Sequence, residues 1–483
     1  MSLENTISSR TALILCGLLA LLLIAGCAGQ VRSASDNARA RNVIVFIGDG
    51  MGVSTVTAAR IFAGQAEGLA GEEHSLAVEK FPRLALVKTY NTNQQVPDSA
   101  GTATAIFTGR KTRAGVISVG PEAYRRDCAG ALDYPLTSIL EIAKSRGKRV
   151  GIVTTARITH ATPATLYAHS PEREWESDRF LTERERVAGC RDIASQLASM
   201  APGSIDIALG GGRREFFGSA AGGTRRKPDD DLVQAWLAAS TNRRYVTSAD
   251  ELRSVAPDEE ILGLFDEGHL AYVAERTTAI RQPTLPEMTA AAIDRLASED
   301  GFFLMVEGGR IDHGHHDGKP GYALLEAVEL ARAVGVALEK VDLDETLVMV
   351  TADHSHVFTI GGYPVRGNPI LGLVRENDGR GEPRSEPSLA TDGKPYTTLG
   401  YANGPGARTG GPRPLPATGV ESVYQALIPR IDTNMDGSPD YEESHGGEDV
   451  PLYAIGAGSA SVSGVIEQNR VFDIMMNAFG WLD

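Results

Sequence analysis

Asp312, His313, His315 and His316 crowd the end of one stretch, Glu307-Gly-Gly-Arg-Ile-Asp-His-Gly-His-His316. A second cluster follows in Thr351-Ala-Asp-His-Ser-His356, and one more His lies in Ser444-His-Gly-Gly-Glu-Asp449. The chain has only 10 His, and most of them fall in these three segments. Carboxylate oxygen and imidazole nitrogen are the donors that Zn²⁺ takes at catalytic sites, where one position stays open for substrate. Asp49, in Gly48-Asp-Gly-Met-Gly52, adds another carboxylate on a glycine-rich turn.

Two further residues could act on such a centre. Ser99, in Pro97-Asp-Ser-Ala-Gly-Thr-Ala-Thr104, precedes a helix-favouring run. A serine at a helix N-terminus beside a cation can ionise and attack, because both stabilise negative charge on its oxygen. In isolation it reads more readily as a plain N-cap. Arg173, in Ala168-His-Ser-Pro-Glu-Arg173, offers the guanidinium fork that binds phosphate through two hydrogen bonds. Local sequence alone does not separate it from a surface arginine.

These residues need elements to bring them together. Val43-Ile-Val-Phe-Ile47 is a continuous apolar run of the kind that suits a strand buried on both faces. Arg149-Val-Gly-Ile-Val153, Phe302-Phe-Leu-Met-Val306 and Thr346-Leu-Val-Met-Val350 follow the same plan. Helical periodicity lies between them, over residues 136–146 and 324–340, and again near the C-terminus at 471–482. Alternating strands and helices predict an α/β fold with a mostly parallel sheet covered on both sides. Ligands bind beyond the carboxyl ends of such strands, and Asp49, residues 154–162, 307–316, Asp353 and His354 all fall there. Polar residues 213–260 and Gly/Pro-rich residues 361–443 read as insertions.

Composition narrows the partners. A net charge of −15 argues against nucleic acid, because phosphate backbones attract Lys and Arg surfaces. An anionic substrate must therefore meet a local positive centre, which metal ions can supply. Near the N-terminus, an apolar run over 12–25 ends in Ile24-Ala-Gly-Cys27. It is too short to span a bilayer comfortably and reads as a signal segment, residues 1–26. Its end resembles a bacterial lipobox, which would make Cys27 the lipidated first residue of the mature chain. An ordinary secretory signal cleaved near Ala28 is the alternative. Residues 27–41 then form a tether, and 42–483 the catalytic domain. Export to an oxidising compartment leaves Cys128 and Cys190 as an even pair, expected to be bridged.

Taken together these segments resemble the alkaline phosphatases, and their animal-type branch in particular. The matching motifs are Gly48–Gly52, Asp98–Thr104, Thr159-His-Ala-Thr-Pro163, Glu307–His316, Thr351–His356 and His445-Gly-Gly-Glu-Asp449, in the family's order. The resemblance implies a three-layer sandwich with a crown-like insertion at 361–443, and hydrolysis of small phosphate monoesters through a phosphoserine at Ser99. It implies a first zinc on Asp312, His316 and His445, and a second on Asp49, Asp353 and His354. Magnesium is implied on Asp49, Thr162 and Glu307, with Arg173 as phosphate clamp. His160 and His313 would reach phosphate or the waters of magnesium. A Cys128–Cys190 disulfide also matches that branch.

The chain departs from the pattern in three places. Only a short tether precedes the first strand, so a homodimer is expected without the branch's N-terminal helical arm. Attachment to a membrane is expected at the N-terminus, on a periplasmic or cell-surface face. The branch's calcium site would match Phe265 and Asp266, but Gln282 stands where an Asp is expected, and that site is not expected here. A different calcium site is expected at Asp432, Asn434, Asp436, Ser438, Asp440 and Glu443, which follow the EF-hand spacing with Gly437 at the sharp turn. Sulfatase and phosphodiesterase readings of the same scaffold fit less well: the Ser99 segment lacks a C/S-x-P-x-R context, and diesterases usually use Thr without the Arg clamp. A binding lipoprotein without turnover would be expected to lack a nucleophile or ligand, and none is missing.

Overall fold

A computed structural model describes residues 38–482 except 222, 224, 225, 431 and 434–438. The signal segment, Cys27, most of the tether, and Asn434, Asp436 and Ser438 of the expected calcium loop lie outside the described residues. Among the described residues, no helix is long and apolar enough to cross a membrane.

The apolar runs become the centre of one large sheet. In chain order the main elements begin with β1 (Asn42–Gly48), α1 (Val53–Ala66), β2 (Arg83–Lys88), α2 (Ser99–Thr108) and β3 (Arg149–Arg157). Next come β4 (Ile207–Gly211), β5 (Arg243–Val246), β6 (Glu260–Leu264), α3 (Leu285–Leu296), β7 (Phe302–Gly308), α4 (Arg310–His316) and α5 (Pro320–Lys340). The last are β8 (Thr346–Ala352), β9 (Val450–Gly456), β10 (Gly464–Glu467) and α6 (Arg470–Ala478). The ten-stranded sheet runs β10–β2–β9–β8–β1–β7–β3–β4–β6–β5. Every neighbouring pair is parallel except the two made by β9. Helices α1, α3 and α5 pack together, while α2 and α6 pack on each other, which gives the expected three layers.

The strands predicted from apolar runs sit at or beside the middle of this sheet, where both faces are covered. All seven residues of β1 are buried, as are all seven of β7 and of β8. Two expectations change. The helix predicted from 136 starts at Ile139, because Ser138 and Glu141 close a capping box: Glu141 N–H donates to Ser138 Oγ at 3.2 Å and Ser138 N–H to Glu141 Oε2 at 2.8 Å. Residues 213–260 are not simply an insertion. β5 and the start of β6 lie inside that span and form the outer edge of the main sheet. Charged residues in Arg243-Arg-Tyr-Val246 obscured the strand, and charge is how edge strands resist further pairing.

Within 361–443, Leu399–Asn403 and Ala426–Ile428 join Phe358–Ile360 in a separate three-stranded sheet. Asp432–Thr433 pairs antiparallel with Pro439–Asp440, both within the span of the expected calcium loop.

Candidate metal centre

The parallel register lines up the carboxyl ends of neighbouring strands. Ile47 of β1 pairs with Glu307 of β7, and Gly48 pairs with Gly308 and with Ala352 of β8. Asp49, Glu307 and Asp353 therefore emerge at one level. Gly50 makes this possible with a φ of 69°, where a side chain would be strained, and its N–H donates to Asp353 Oδ1 at 3.0 Å. A Cβ there would also strike His356.

Three groups of ligating atoms converge on this level. In the first, His316 Nε2 lies 3.2 Å from Asp312 Oδ1, His445 Nε2 lies 3.5 Å from the same oxygen, and the two imidazole nitrogens are 3.1 Å apart. Asp312 and His316 are four residues apart on α4, one helical turn, which puts them on one face. The Nδ1–H of His316 donates to the Glu443 carbonyl at 2.6 Å, and that of His445 to the Pro97 carbonyl at 2.7 Å. With Nδ1 so committed, the neutral form of each ring aims an Nε2 lone pair at a carboxylate oxygen. Such a donor set fits a cation.

In the second, Asp49, Asp353 and His354 bring their ligating atoms within 4.8 Å of one another. His354 Nε2 is 3.3 Å from Asp49 Oδ1 and 3.3 Å from Asp353 Oδ2. Its Nδ1–H donates to the Ser355 carbonyl at 3.2 Å. Burial, and then His445 beside it, hold His354 well below the usual imidazole range, so the ring is neutral and presents a lone pair.

The third joins Asp49, His160 and Glu307, again within 4.8 Å. Both oxygens of Asp49, Glu307 Oε1, Thr162 Oγ1 and His160 Nδ1 are buried without a hydrogen-bond partner. Buried polar atoms are nearly always satisfied, so a cluster of orphaned oxygens at one place is what a bound ion would satisfy. The residues present therefore fit a metal at this position, and the oxygen-rich set suits Mg²⁺.

Burial, together with the nearby Asp353 carboxylate, lifts Glu307 to about 7 despite a hydrogen bond from Thr154. A carboxyl raised in the folded state loses stability as pH climbs from its unfolded range through its folded value. Chelated Glu307→Gln protein is therefore expected to be more stable than chelated wild type at pH 8.5, by about 3 kcal/mol, with no advantage at pH 4.5. Thermal melts in chelator across that range test this. Parallel curves for the two proteins would contradict it.

Ser99 faces the second group. Its Oγ is 3.1 Å from His354 Nε2, and the residue is buried. It is not the N-cap that one reading of the sequence allowed. Asp98 caps α2, with Oδ1 accepting from Gly101 N–H at 3.2 Å and from Asn91 Nδ2 at 2.9 Å. Ser99 is the first residue of a fully buried ten-residue helix, whose N-terminal end favours negative charge. Asp98 Oδ2 accepts from Arg173 at 3.1 Å, so the cap also aims the guanidinium. Arg173 in turn lies 3.3 Å from His160 Nε2. His313 stands 5.5 Å from His160, ring to ring, with Arg310 at 3.1 Å from its Nδ1.

Similarity to known proteins agrees with this geometry. The family description for alkaline phosphatase matches residues 40–481. The chain belongs to the alkaline phosphatase family. It is 45% identical over 454 residues to the tissue-nonspecific isozyme of Gallus gallus, covering 89% of this chain and 83% of that one. The human tissue-nonspecific isozyme is 43% identical, over 91% of this chain and 83% of its own. Among solved structures, alkaline phosphatase of Thermus thermophilus superimposes with a TM-score of 0.66 at 26% identity, covering 94% and 96% of the two chains. That from the Antarctic bacterium TAB5 gives 0.62 at 24%, covering 92% and 100%, and shares the fold. The chain is an alkaline phosphatase, a phosphoric monoester hydrolase.

Sequence reading gave no role of their own to His356 and His269. His356, fully buried, places Nε2 2.9 Å from Asp312 Oδ1 and Nδ1 2.5 Å from Glu443 Oε2. Burial alone would lower it, but Glu443 and Asp312 on either side lift it to about 9, so the imidazolium donates to both. Glu443 also accepts the Val357 N–H on Oε1 at 2.7 Å. Both of its carboxylate oxygens are therefore engaged beside His356. Two residues from His354, His356 was visible in the sequence as part of the cluster, but its partner was not. His269 stood alone in the sequence. Its ring packs 4.1 Å from His313 and meets the Arg157 guanidinium. At the other calcium position, Gln282 donates its amide to Asp266, which also accepts from Gly268 N–H at 3.0 Å. Cys128 and Cys190 form a disulfide.

Proposed function

We propose that this alkaline phosphatase works through a phosphoserine at Ser99, with two zinc ions and one magnesium. The observation that carries the reading is Ser99 Oγ at 3.1 Å from His354, which itself meets Asp49 and Asp353. Asp312, His316 and His445 hold the first zinc; Asp49, Asp353 and His354 the second; Asp49, Thr162 and Glu307 the magnesium. Bound there, the ions supply Lewis acidity and positive charge at the attacking and leaving oxygens of an in-line displacement. The N-terminus of α2 favours negative charge at Ser99 Oγ. Arg173, aimed by Asp98, takes two oxygens of the transferring phosphoryl group. His160 and His313 contact phosphate or the waters of magnesium. Ser99 Oγ gives up its proton and bonds to phosphorus as the bond from phosphorus to the ester oxygen breaks, and the departing oxygen takes up a proton as the alcohol. Water then cleaves the Oγ–P bond and releases inorganic phosphate.

The proposal extends to setting. Cys27 carries lipid that holds the enzyme at a bacterial membrane on its exported face, a reading that the disulfide supports. The working form is a homodimer. Steady-state hydrolysis of a chromogenic monoester at alkaline pH, beside the matching diester, tests the chemistry. Monoester turnover is expected to exceed diester turnover by at least about a hundredfold. Acid quenching with labelled phosphate is expected to leave the label on the Ser99 peptide. Label on another residue, or a diester rate equal to the monoester rate, would overturn the proposal.

A further inference from the structure

The loop that carries Arg173 has a second support beside that residue. Its neighbour Glu172 is buried, with a side chain only 1% exposed, and carries a carboxylate that two arginines grip from the surface. Arg125 reaches it through Nε at 3.0 Å and through a terminal nitrogen at 2.6 Å, the two-pronged geometry that fixes orientation. Arg126 adds a third contact through Nε at 2.9 Å. The Glu174 N–H donates to the same carboxylate at 3.2 Å. Both guanidinium groups are about half exposed, at 50% and 53%, so the buried partner is the carboxylate and the arginines close over it.

The backbone binds these parts into one unit. Arg126 N–H donates to the Pro171 carbonyl at 2.9 Å, and Arg173 N–H to the Gly115 carbonyl at 2.9 Å. Gly115 has a φ of 76°, and a Cβ there would strike the Arg125 guanidinium. The Arg125 guanidinium thus packs on the residue that holds the Arg173 backbone. Arg126 itself adopts a φ of 65°, uncommon for a residue with a side chain and a sign that its surroundings hold it. Two residues on, Cys128 begins the short helix Cys128–Asp133 and is bonded to Cys190. Both arginines therefore stand on a base that is covalently anchored.

We infer that Glu172, gripped by Arg125 and Arg126, is a positioning residue that sets the phosphate affinity of Arg173. The inference rests on the reading of Arg173 as the phosphate clamp. Glu172 touches no reacting atom. It fixes the 170–174 loop so that the guanidinium one residue on meets Asp98 at 3.1 Å. Orientation of this kind lowers the cost of ordering the clamp when phosphate binds.

The test uses the metal-loaded mature enzyme and reads KM, kcat and the inhibition constant of inorganic phosphate. Glu172→Gln keeps the shape and removes the charge. It is expected to raise KM and the phosphate inhibition constant together, by about five- to tenfold, while kcat falls less than about twofold. Arg125→Ala alters only a half-exposed side chain, and is expected to shift both constants in the same direction by less. In an Arg173→Ala background, Glu172→Gln is expected to change neither constant further, because its effect runs through Arg173. Unchanged phosphate inhibition in Glu172→Gln and Arg125→Ala would overturn the inference, as would an equal rise in the Arg173→Ala background. If Arg173→Ala alone left phosphate inhibition unchanged, the clamp reading itself would fall. Should Glu172→Gln not fold, Arg125→Ala decides the question alone.

Discussion

Ser99→Ala is expected to lower kcat for a phosphate monoester by at least about a thousandfold while leaving the fold intact. The two halves of that expectation have separate causes. Activity is lost because the substitution removes the hydroxyl whose Oγ lies 3.1 Å from His354, at the first turn of α2. The hydroxyl of Thr102, on the same turn, has the Asp98 and Ser99 carbonyls and Asp353 Oδ2 as acceptors within 3.2 Å. The fold survives because Asp98, not Ser99, caps the helix, so the cap contribution of about 1 kcal/mol is retained. The melting temperature should therefore stay close to wild type. Turnover within tenfold of wild type in a folded Ser99→Ala protein would sink the nucleophile assignment. A melting temperature far below wild type would show that the serine is structural.

Removing metal is expected to do nearly as much damage by a different route. Dialysis against a strong chelator should abolish turnover and lower thermal stability together, and zinc with magnesium should restore both. Burial first, and then Asp353, Asp312 and Glu307, push Asp49 well above the usual carboxylate range. Four acidic groups crowded into one buried place repel one another, and both oxygens of Asp49 lack a hydrogen-bond donor. A bound cation reverses each of those penalties, so binding energy here is also folding energy. Magnesium alone is expected to leave turnover absent, since the imidazole-rich groups around Asp312 and His354 suit zinc better. Full activity in protein assayed as metal-free would refute the metal centre. Restored stability without restored turnover would instead separate the structural role of the ions from the catalytic one.

Much of the candidate site was legible along the chain because its candidate ligands follow strand ends. An apolar run ends, and the next polar residue must point beyond the sheet: Asp49 after β1, Glu307 at the end of β7, Asp353 after β8. Helical spacing likewise makes Asp312 and His316 neighbours whatever the rest of the chain does. The edge strand β5 was hidden because charge on Arg243 and Arg244 conceals a strand that only its neighbour β6 can stabilise.

By itself, then, the sequence determined the central strands, the residue types at their ends, the pair of cysteines and the family. These depend on local pattern, which burial of a strand and the pitch of a helix impose directly. Tertiary structure alone decided who supports whom. Glu443 reaches His356 across 87 residues, the Glu443 carbonyl fixes His316 across 127, and the Pro97 carbonyl fixes His445 across 348. The grip of Arg125 and Arg126 on Glu172 is of the same kind, across 47 and 46 residues. No spacing rule links such partners. They meet because β9 runs antiparallel between β8 and β2, and because loops far apart in the chain pack over one end of the sheet. The identity of the candidate ligands is written in local pattern, whereas their orientation comes from long-range packing, which a single chain read in order does not display.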